Sequence, residues 1–160
     1  MDRALSSRDD AFSKAKASAT RLLKIRLRSK KEIADKLALK GIRPAVIRKT
    51  VRFFTEAGLL DDRQFARAWI ISRLKKPMGW RRIRRELELK GVNAELIDDE
   101  CARARNAHDE DEALKKLALR RMRQYREVNK LKAKRRLCDY LIRRGFASAA
   151  VYTVIREIST

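Results

Sequence analysis

One phrase occurs three times in this chain, and it limits the fold more than any other feature. "KKEIADKLALKGIRPAVI" ends at Ile47, "RRIRRELELKGVNAELI" at Ile97 and "KRRLCDYLIRRGFASAAV" at Val151. The copies register on Gly41, Gly91 and Gly145. Eight residues before each glycine stand Ile33, Ile83 and Leu137, and four before stand Leu37, Leu87 and Leu141. Directly after come Ile42, Val92 and Phe146; six after, Ile47, Ile97 and Val151; ten after, Val51, Cys101 and Ile155. Apolar residues four apart make one stripe of a helix. A glycine at the end of such a stripe suits the left-handed residue that stops a helix. Each copy therefore reads as helix, glycine turn, helix. Pro44 suits a first helical turn and Asn93 an N-cap. Ser29 with Glu32 reads as a capping box.

Two stripes need a third surface to bury against, and a helical pattern precedes each copy. Residues 11–27 carry Phe12, Ala15, Ala19, Leu22 and Leu23; residues 62–75 carry Phe65, Ala66, Trp69 and Ile70, with Asp61 or Asp62 as cap. Residues 109–127 carry Leu114, Leu117, Ala118, Met122 and Tyr125, opening on "DEDE" and ending basic, as a helix dipole favours. No sustained period-2 run and no Asn-Gly or Asp-Gly hairpin turn argues for strands. The expected fold is all-α: three tandem three-helix repeats resembling helix-turn-helix units, elongated because each repeat touches mainly its neighbours. The boundaries are a tail over 1–10 and repeats over 11–60, 61–107 and 108–160, with breaks at "EAGLLDD", "KKPMG", "RNAHDE" and "REVNK".

Charge narrows the partners. Forty-two Lys and Arg against 21 Asp and Glu leave +21 at pH 7, a balance that attracts polyanions, nucleic acid first. Apolar runs are too short to span a membrane, and "MDRALSSRDDAFSK" has no secretory pattern. The expectation is a soluble, cytoplasmic protein without membrane contact. Cys101 and Cys138 make no metal-ligand pattern with the single His108, and both read as packing. The glycines form no phosphate loop, and consecutive acids at 109–112 point around their helix and do not converge on a metal. No cofactor, no metal, no small-molecule substrate and no catalytic residue are expected.

Four segments resemble the signature stretches of the bacterial RecX family: "RSKKEIADKL" (28–37), "GLLDDRQFARAWIISR" (58–73), "GWRRIRRELELKGV" (79–92) and "KRRLCDYLIRRGF" (134–146). The second is the most specific, with Asp61, Asp62, Phe65, Ala66, Trp69 and Arg73 in place. The resemblance runs from about residue 15 to the C-terminus. It implies three three-helix repeats, agreeing with the periodicity. It also implies a regulator, usually an inhibitor, of the RecA recombinase, bound along the groove of RecA on single-stranded DNA, with consequences for DNA repair and the SOS response.

Helix-turn-helix readers put their last helix on base edges. Here the last helix of the second repeat carries Glu95, Asp98, Asp99 and Glu100, and that of the third is "SAAVYTVIREIS", nearly without donors. Only the first, with Arg43, Arg48, Lys49 and Arg52, could read a groove, so sequence-specific binding is not expected. Cations gather instead on the middle helices and their approaches: Arg81, Arg82 and Arg85; Lys132, Lys134, Arg135 and Arg136; Arg143 and Arg144; with Arg120 and Arg121 from the preceding helix. Arg81, Arg82 and Arg85 share a face, as do Lys132, Arg135 and Arg136. These are the candidate contacts to phosphates. Glu95, Asp98 and Asp99 are either caps and surface or a patch for a basic loop of a protein partner. Trp69 reads as core, and Trp80 as core or a stacking platform for bases.

The combined expectation is a non-enzymatic, monomeric regulator of the RecA–single-stranded-DNA filament that bridges adjacent recombinase subunits. A sequence-neutral nucleic-acid binder without a recombinase target and a transcription factor are the competing classes.

Overall fold

The computed structural model describes residues 2–126 and 128–158. Among them the chain forms nine α-helices and no strand: α1 (Asp2–Ile25), α2 (Lys30–Ala38), α3 (Pro44–Glu56), α4 (Asp62–Leu74), α5 (Trp80–Leu89), α6 (Ala94–Arg105), α7 (Glu110–Met122), α8 (Lys130–Arg143) and α9 (Ser148–Glu157). A short 3₁₀ turn, Arg123–Tyr125, follows α7. All four expected breaks fall between helices. The first helix starts at Asp2 and so includes most of the stretch read as a tail.

The repeated phrase is α2–α3, α5–α6 and α8–α9. Gly41, Gly91 and Gly145 have φ of 73°, 74° and 92°, the left-handed region where a side chain is strained. The residue after the glycine folds back on its helix: Ile42 N–H donates to the Leu37 carbonyl at 3.3 Å and Phe146 N–H to Leu141 at 3.4 Å. Caps follow the sequence. Ser29 accepts from Glu32 N–H at 3.0 Å in a complete capping box. Pro44 opens α3, and α6 begins just after Asn93. The aspartate pair divides its work. Asp61 caps α4, accepting from the N–H groups of Arg63 and Gln64. Asp62 reaches away to accept Lys30 N–H at 2.9 Å. Burial pushes the Asp62 carboxyl up from its usual range against the opposing pull of that hydrogen bond.

The chain divides into two compact units that do not follow the repeat boundaries. One takes residues up to 68 together with 89–93; the other takes 69–88 and 94 onward. In the first, Ala19 of α1, Ile33 and Leu37 of α2, Ile47 and Phe54 of α3, and Leu60 form a buried cluster. In the second, Leu114, Leu117 and Ala118 of α7 pack with Leu137 and Leu141 of α8, Phe146, and Val151, Val154 and Ile155 of α9. Removing each large side chain from water contributes roughly 1.5–3 kcal/mol. Cys101 is buried too, and burial raises its thiol pKa, as its apolar slot in the phrase predicts.

The units cut across the second repeat because neighbouring repeats share a joint, built twice. In the first unit the head of α2 meets the Gly91 turn. Ser29 Oγ–H donates to the Lys90 carbonyl at 2.6 Å, and Lys90 Nζ reaches Glu32 at 2.7 Å. In the second unit the head of α5 meets the Gly145 turn. Gly79 N–H donates to the Arg144 carbonyl at 3.0 Å and Arg81 N–H to Gly145 at 3.2 Å. Ser29 and Gly79 hold the same register position, as do Lys90 and Arg144. Each joint gives a carbonyl at a helix end a donor from the next helix start, the Ser29 hydroxyl in the first and the N–H groups of Gly79 and Arg81 in the second. The second is the tighter: a Cβ on Gly79 would collide with the backbone of Gly145 and Phe146.

Candidate nucleic-acid interface

The apolar stripe decides where each cation points. On α5, Trp80, Ile83 and Leu87 are buried, which turns Arg81, Arg82 and Arg85 to solvent. On α8, Ala133, Leu137 and Leu141 are buried; Lys132, Arg135, Arg136 and Arg143 are exposed, while Lys134 and Arg144 are half-buried. Arg120 at the end of α7 is exposed and Arg121 half-buried.

Distance along the chain hides a meeting of these groups. Through the second joint, Arg82 Nη1–H donates to the Arg143 carbonyl at 3.4 Å. Arg81 and Arg82 thus stand beside Arg143 and Arg144. Arg121 joins from α7: its guanidinium carbon lies 4.7 Å from the ring centre of Tyr140, and that of Arg144 lies 5.3 Å from the same ring. Lys132, Lys134, Arg135 and Arg136 extend the basic surface along the first half of α8. Its length there, from Lys132 to Arg143, is about 16 Å at 1.5 Å per residue.

Carboxylates neutralise some of these cations and not others. Glu86 accepts from Arg73 at 2.5 Å, from Arg82 at 3.2 Å and from Trp69 Nε1–H at 3.1 Å. Burial opposes the charge on Glu86, but the hydrogen bonds and charge of the arginines outweigh it and hold its pKa below the usual carboxylate range. Arg84 is taken by Glu88 at 2.9 Å and by Asp98. In the first unit burial likewise works against Glu32, yet Arg26 and Lys90 bring it down to about 2. Arg81, Arg85, Arg120, Arg135 and Arg136 make no ion pair among the described residues. Lys132, Lys134, Arg121, Arg143 and Arg144 likewise make none there.

The two tryptophans differ: Trp80 lies in the core, one of the two places expected for it, and Trp69, expected in the core, is half-buried. Trp80 is only 5% exposed, with Arg105 over its ring and His108 at its edge, so it offers no face to a base. Its backbone N–H is held by Glu110, one of the acids of "DEDE", while Asp109 caps α7. Trp69 is half-buried and carries Arg73 stacked 4.1 Å from its ring centre. Of the acids on α6, Glu95, Asp98 and Asp99 are exposed, but Asp98 faces Arg84, and Glu100 is buried with Arg103 beside it. Glu86 and Tyr140, which sort the arginines, escaped the sequence reading. The signal was present: both stand five residues before their glycine, where the first repeat has Lys36.

A chain of three-helix units in series is a tandem-repeat protein in architecture, and comparison with known proteins says which. Models of the first, second and third three-helix domains of RecX match residues 15–54, 61–99 and 109–155. Regulatory protein RecX of Streptomyces lividans is 32% identical over 92% of this chain and 79% of its own length. That of Mycobacterium sp. (strain KMS) is 36% identical over 88% and 79%. The chain belongs to the RecX family of regulatory proteins. The crystal structure of RecX from Lactobacillus salivarius superposes with a TM-score of 0.78 at 22% identity, covering 94% of this chain and 98% of that one. A second RecX crystal structure gives 0.84 at 24% identity, over 96% and 77%. At such identity these two likenesses speak for the fold alone. The relatives are named for regulation and not for a reaction. No helix among the described residues is long and apolar enough to cross a membrane.

Proposed function

We propose that this protein regulates the RecA recombinase by binding the RecA–single-stranded-DNA filament, and that it inhibits ATP hydrolysis and strand exchange there. Family membership supports the partner. The cations on α5 and α8 that no carboxylate neutralises support the polyanion. Arg81, Arg85, Lys132, Lys134, Arg135, Arg136, Arg143 and Arg144, with Arg120 and Arg121, face phosphates, and Arg82 joins them although Glu86 partly neutralises it. The acidic patch of Glu95, Asp98 and Asp99 approaches basic loops of the recombinase. Phosphate contact without base readout fits a filament whose DNA can have any sequence. Tandem repeats engage successive subunits, and linked sites raise avidity by about 10²–10⁴ where geometry permits.

The test is the purified protein added to RecA filaments, following single-stranded-DNA-dependent ATP hydrolysis and strand exchange. Inhibition is expected at protein concentrations well below that of the recombinase. Inhibition only at concentrations that coat free DNA would identify a sequence-neutral nucleic-acid binder instead. No effect on either activity would remove RecA as the target.

A further inference from the structure

The second and third repeats can be laid on each other through their caps as well as their glycines. Asp61 and Asp109 each cap the helix that opens a repeat, and Arg73 and Arg121 each lie twelve residues further on. Glu86 and Tyr140 each lie five residues before the glycine turn. In the second repeat this position gives a closed set: Arg73 stacks on Trp69, and Glu86 accepts from both. In the third repeat the arginine and the aromatic surroundings remain, but the carboxylate does not. Arg121 lies over Tyr140 at 4.7 Å and Tyr125 at 5.6 Å, and Arg144 adds a second guanidinium over Tyr140 while its Nε–H donates to the phenol oxygen at 3.1 Å.

No carboxylate among the described residues compensates the charge of this pair. Gln124 Oε1 accepts from Arg121 Nη1, but the Nε–H of Arg121 is buried and has no acceptor among the described residues. Neither guanidinium has a carboxylate partner there. Of the other half-buried arginines, Arg73 and Arg84 each have one, and Arg28 donates to the Leu22 carbonyl instead. A half-buried cation in aromatic surroundings gains most from an anion that accepts several hydrogen bonds at once, and a guanidinium matches a tetrahedral phosphate in charge and fork geometry.

We infer that Arg121 and Arg144, set around Tyr140, form a discrete binding site for one phosphate group of a nucleic-acid backbone, the anion supplying the negative charge that Glu86 supplies in the second repeat. This deepens the reading of the preceding subsection, on which the choice of a nucleic-acid phosphate rests. The site differs from the exposed cations around it. Arg120 and Arg136 attract phosphates from solvent and let them slide; Arg121 and Arg144 fix one in place and so set the register of the strand on the third repeat.

The experiment uses the full chain and two probes, inorganic phosphate and an oligothymidylate. In nuclear magnetic resonance spectra, the Nε–H resonances of Arg121 and Arg144 should shift with saturation on adding phosphate, while that of Arg120 moves little. Arg121→Gln should weaken oligothymidylate binding by about tenfold or more, the loss expected when a charge-assisted hydrogen bond is removed. Arg120→Gln should weaken it by about threefold or less, as one screened exposed charge does. Tyr140→Glu supplies the missing carboxylate and should lower affinity as much as Arg121→Gln. Thermal unfolding accompanies each variant, and the resonance shifts of the unaltered protein decide the matter if a variant does not fold. Unsaturable drift of all arginine signals alike, or equal losses for Arg120→Gln and Arg121→Gln, would overturn the site. The phosphate titration needs no recombinase. Saturation without RecA inhibition would keep this site and discard the proposed target, and inhibition without saturation would do the reverse.

Discussion

The second and third repeats carry the same helices in the same register and treat charge in opposite ways. Around Glu86 the second repeat satisfies its cations internally, with Arg73, Arg82 and Trp69 all donating to one carboxylate. Around Tyr140 the third repeat gathers two arginines with no carboxylate among the described residues. The first arrangement neutralises its cations with a carboxylate; the second does not. A count of basic residues per repeat cannot separate these cases, because the neighbour that decides the state of Arg73 or Arg121 lies thirteen residues or more along the chain.

The largest effect is expected at the joint that the third repeat makes with the second. Gly145→Val places a β-branched residue at φ 92° and drives its Cβ into Arg82. The left-handed cost and the overpacking together should remove about 2–5 kcal/mol from the unit containing α5 and α8, read by denaturant unfolding. Gly41→Val tests the same turn without the joint, since a Cβ there meets nothing within 4 Å. Its loss should be only about 1–2 kcal/mol. Equal losses at the two glycines would mean that the joint adds no stability.

The next largest loss is expected at Glu86. Glu86→Ala leaves the Arg73 guanidinium and the Trp69 N–H without their acceptor and should cost about 1–3 kcal/mol in unfolding free energy. Tyr140→Phe deletes only the phenol oxygen that accepts from Arg144 and should cost about 0.5–1.5 kcal/mol. The reverse order would show that the third repeat, not the second, depends on its charged cluster for stability.

A smaller effect concerns pH. The folded-state pKa of Glu32, about 2, lies below the ordinary carboxylate value, so its contribution is fully present above about pH 4.5 and is lost as pH falls toward 2. Glu86 shifts in the same direction. Glu32→Gln should therefore lower stability at neutral pH and flatten the decline between pH 5 and about 2 seen in acid unfolding. An unchanged acid profile would remove Arg26 and Lys90 as its stabilising partners.

The smallest effect lies at the exposed cations. Arg81→Ala with Arg85→Ala should leave stability within about 0.5 kcal/mol per site. It should reduce the slope of log affinity against log salt for single-stranded DNA by about 1.4, at 0.7 per phosphate. A wild-type slope would move the contact off α5.

Much of this molecule was legible in its sequence because the governing interactions are local. A helix stripe, a capping box at Ser29 and a left-handed glycine each involve residues within about six positions, and three copies of the phrase confirm one another. The helices, their breaks and the burial of Leu37, Leu87 and Leu141 follow from such spacing. Trp80 shows where that reading stops. At a helix start beside arginines it fits either a platform or a core, and Glu110, thirty residues away, draws its backbone inward.

What the sequence by itself determined was the all-α three-repeat fold, the turn positions and the faces on which cations lie, for hydrophobic periodicity and backbone sterics act along the chain. What only the tertiary structure decided was the fate of each charge. Ser29 finds Lys90, Arg82 finds Arg143, Arg84 finds Asp98, and Arg121 finds Tyr140 in place of an acid. Those pairings depend on how helices meet after the chain has turned back on itself. A Coulombic or hydrogen-bonded partner is chosen by distance in space, and no periodicity along the chain encodes it.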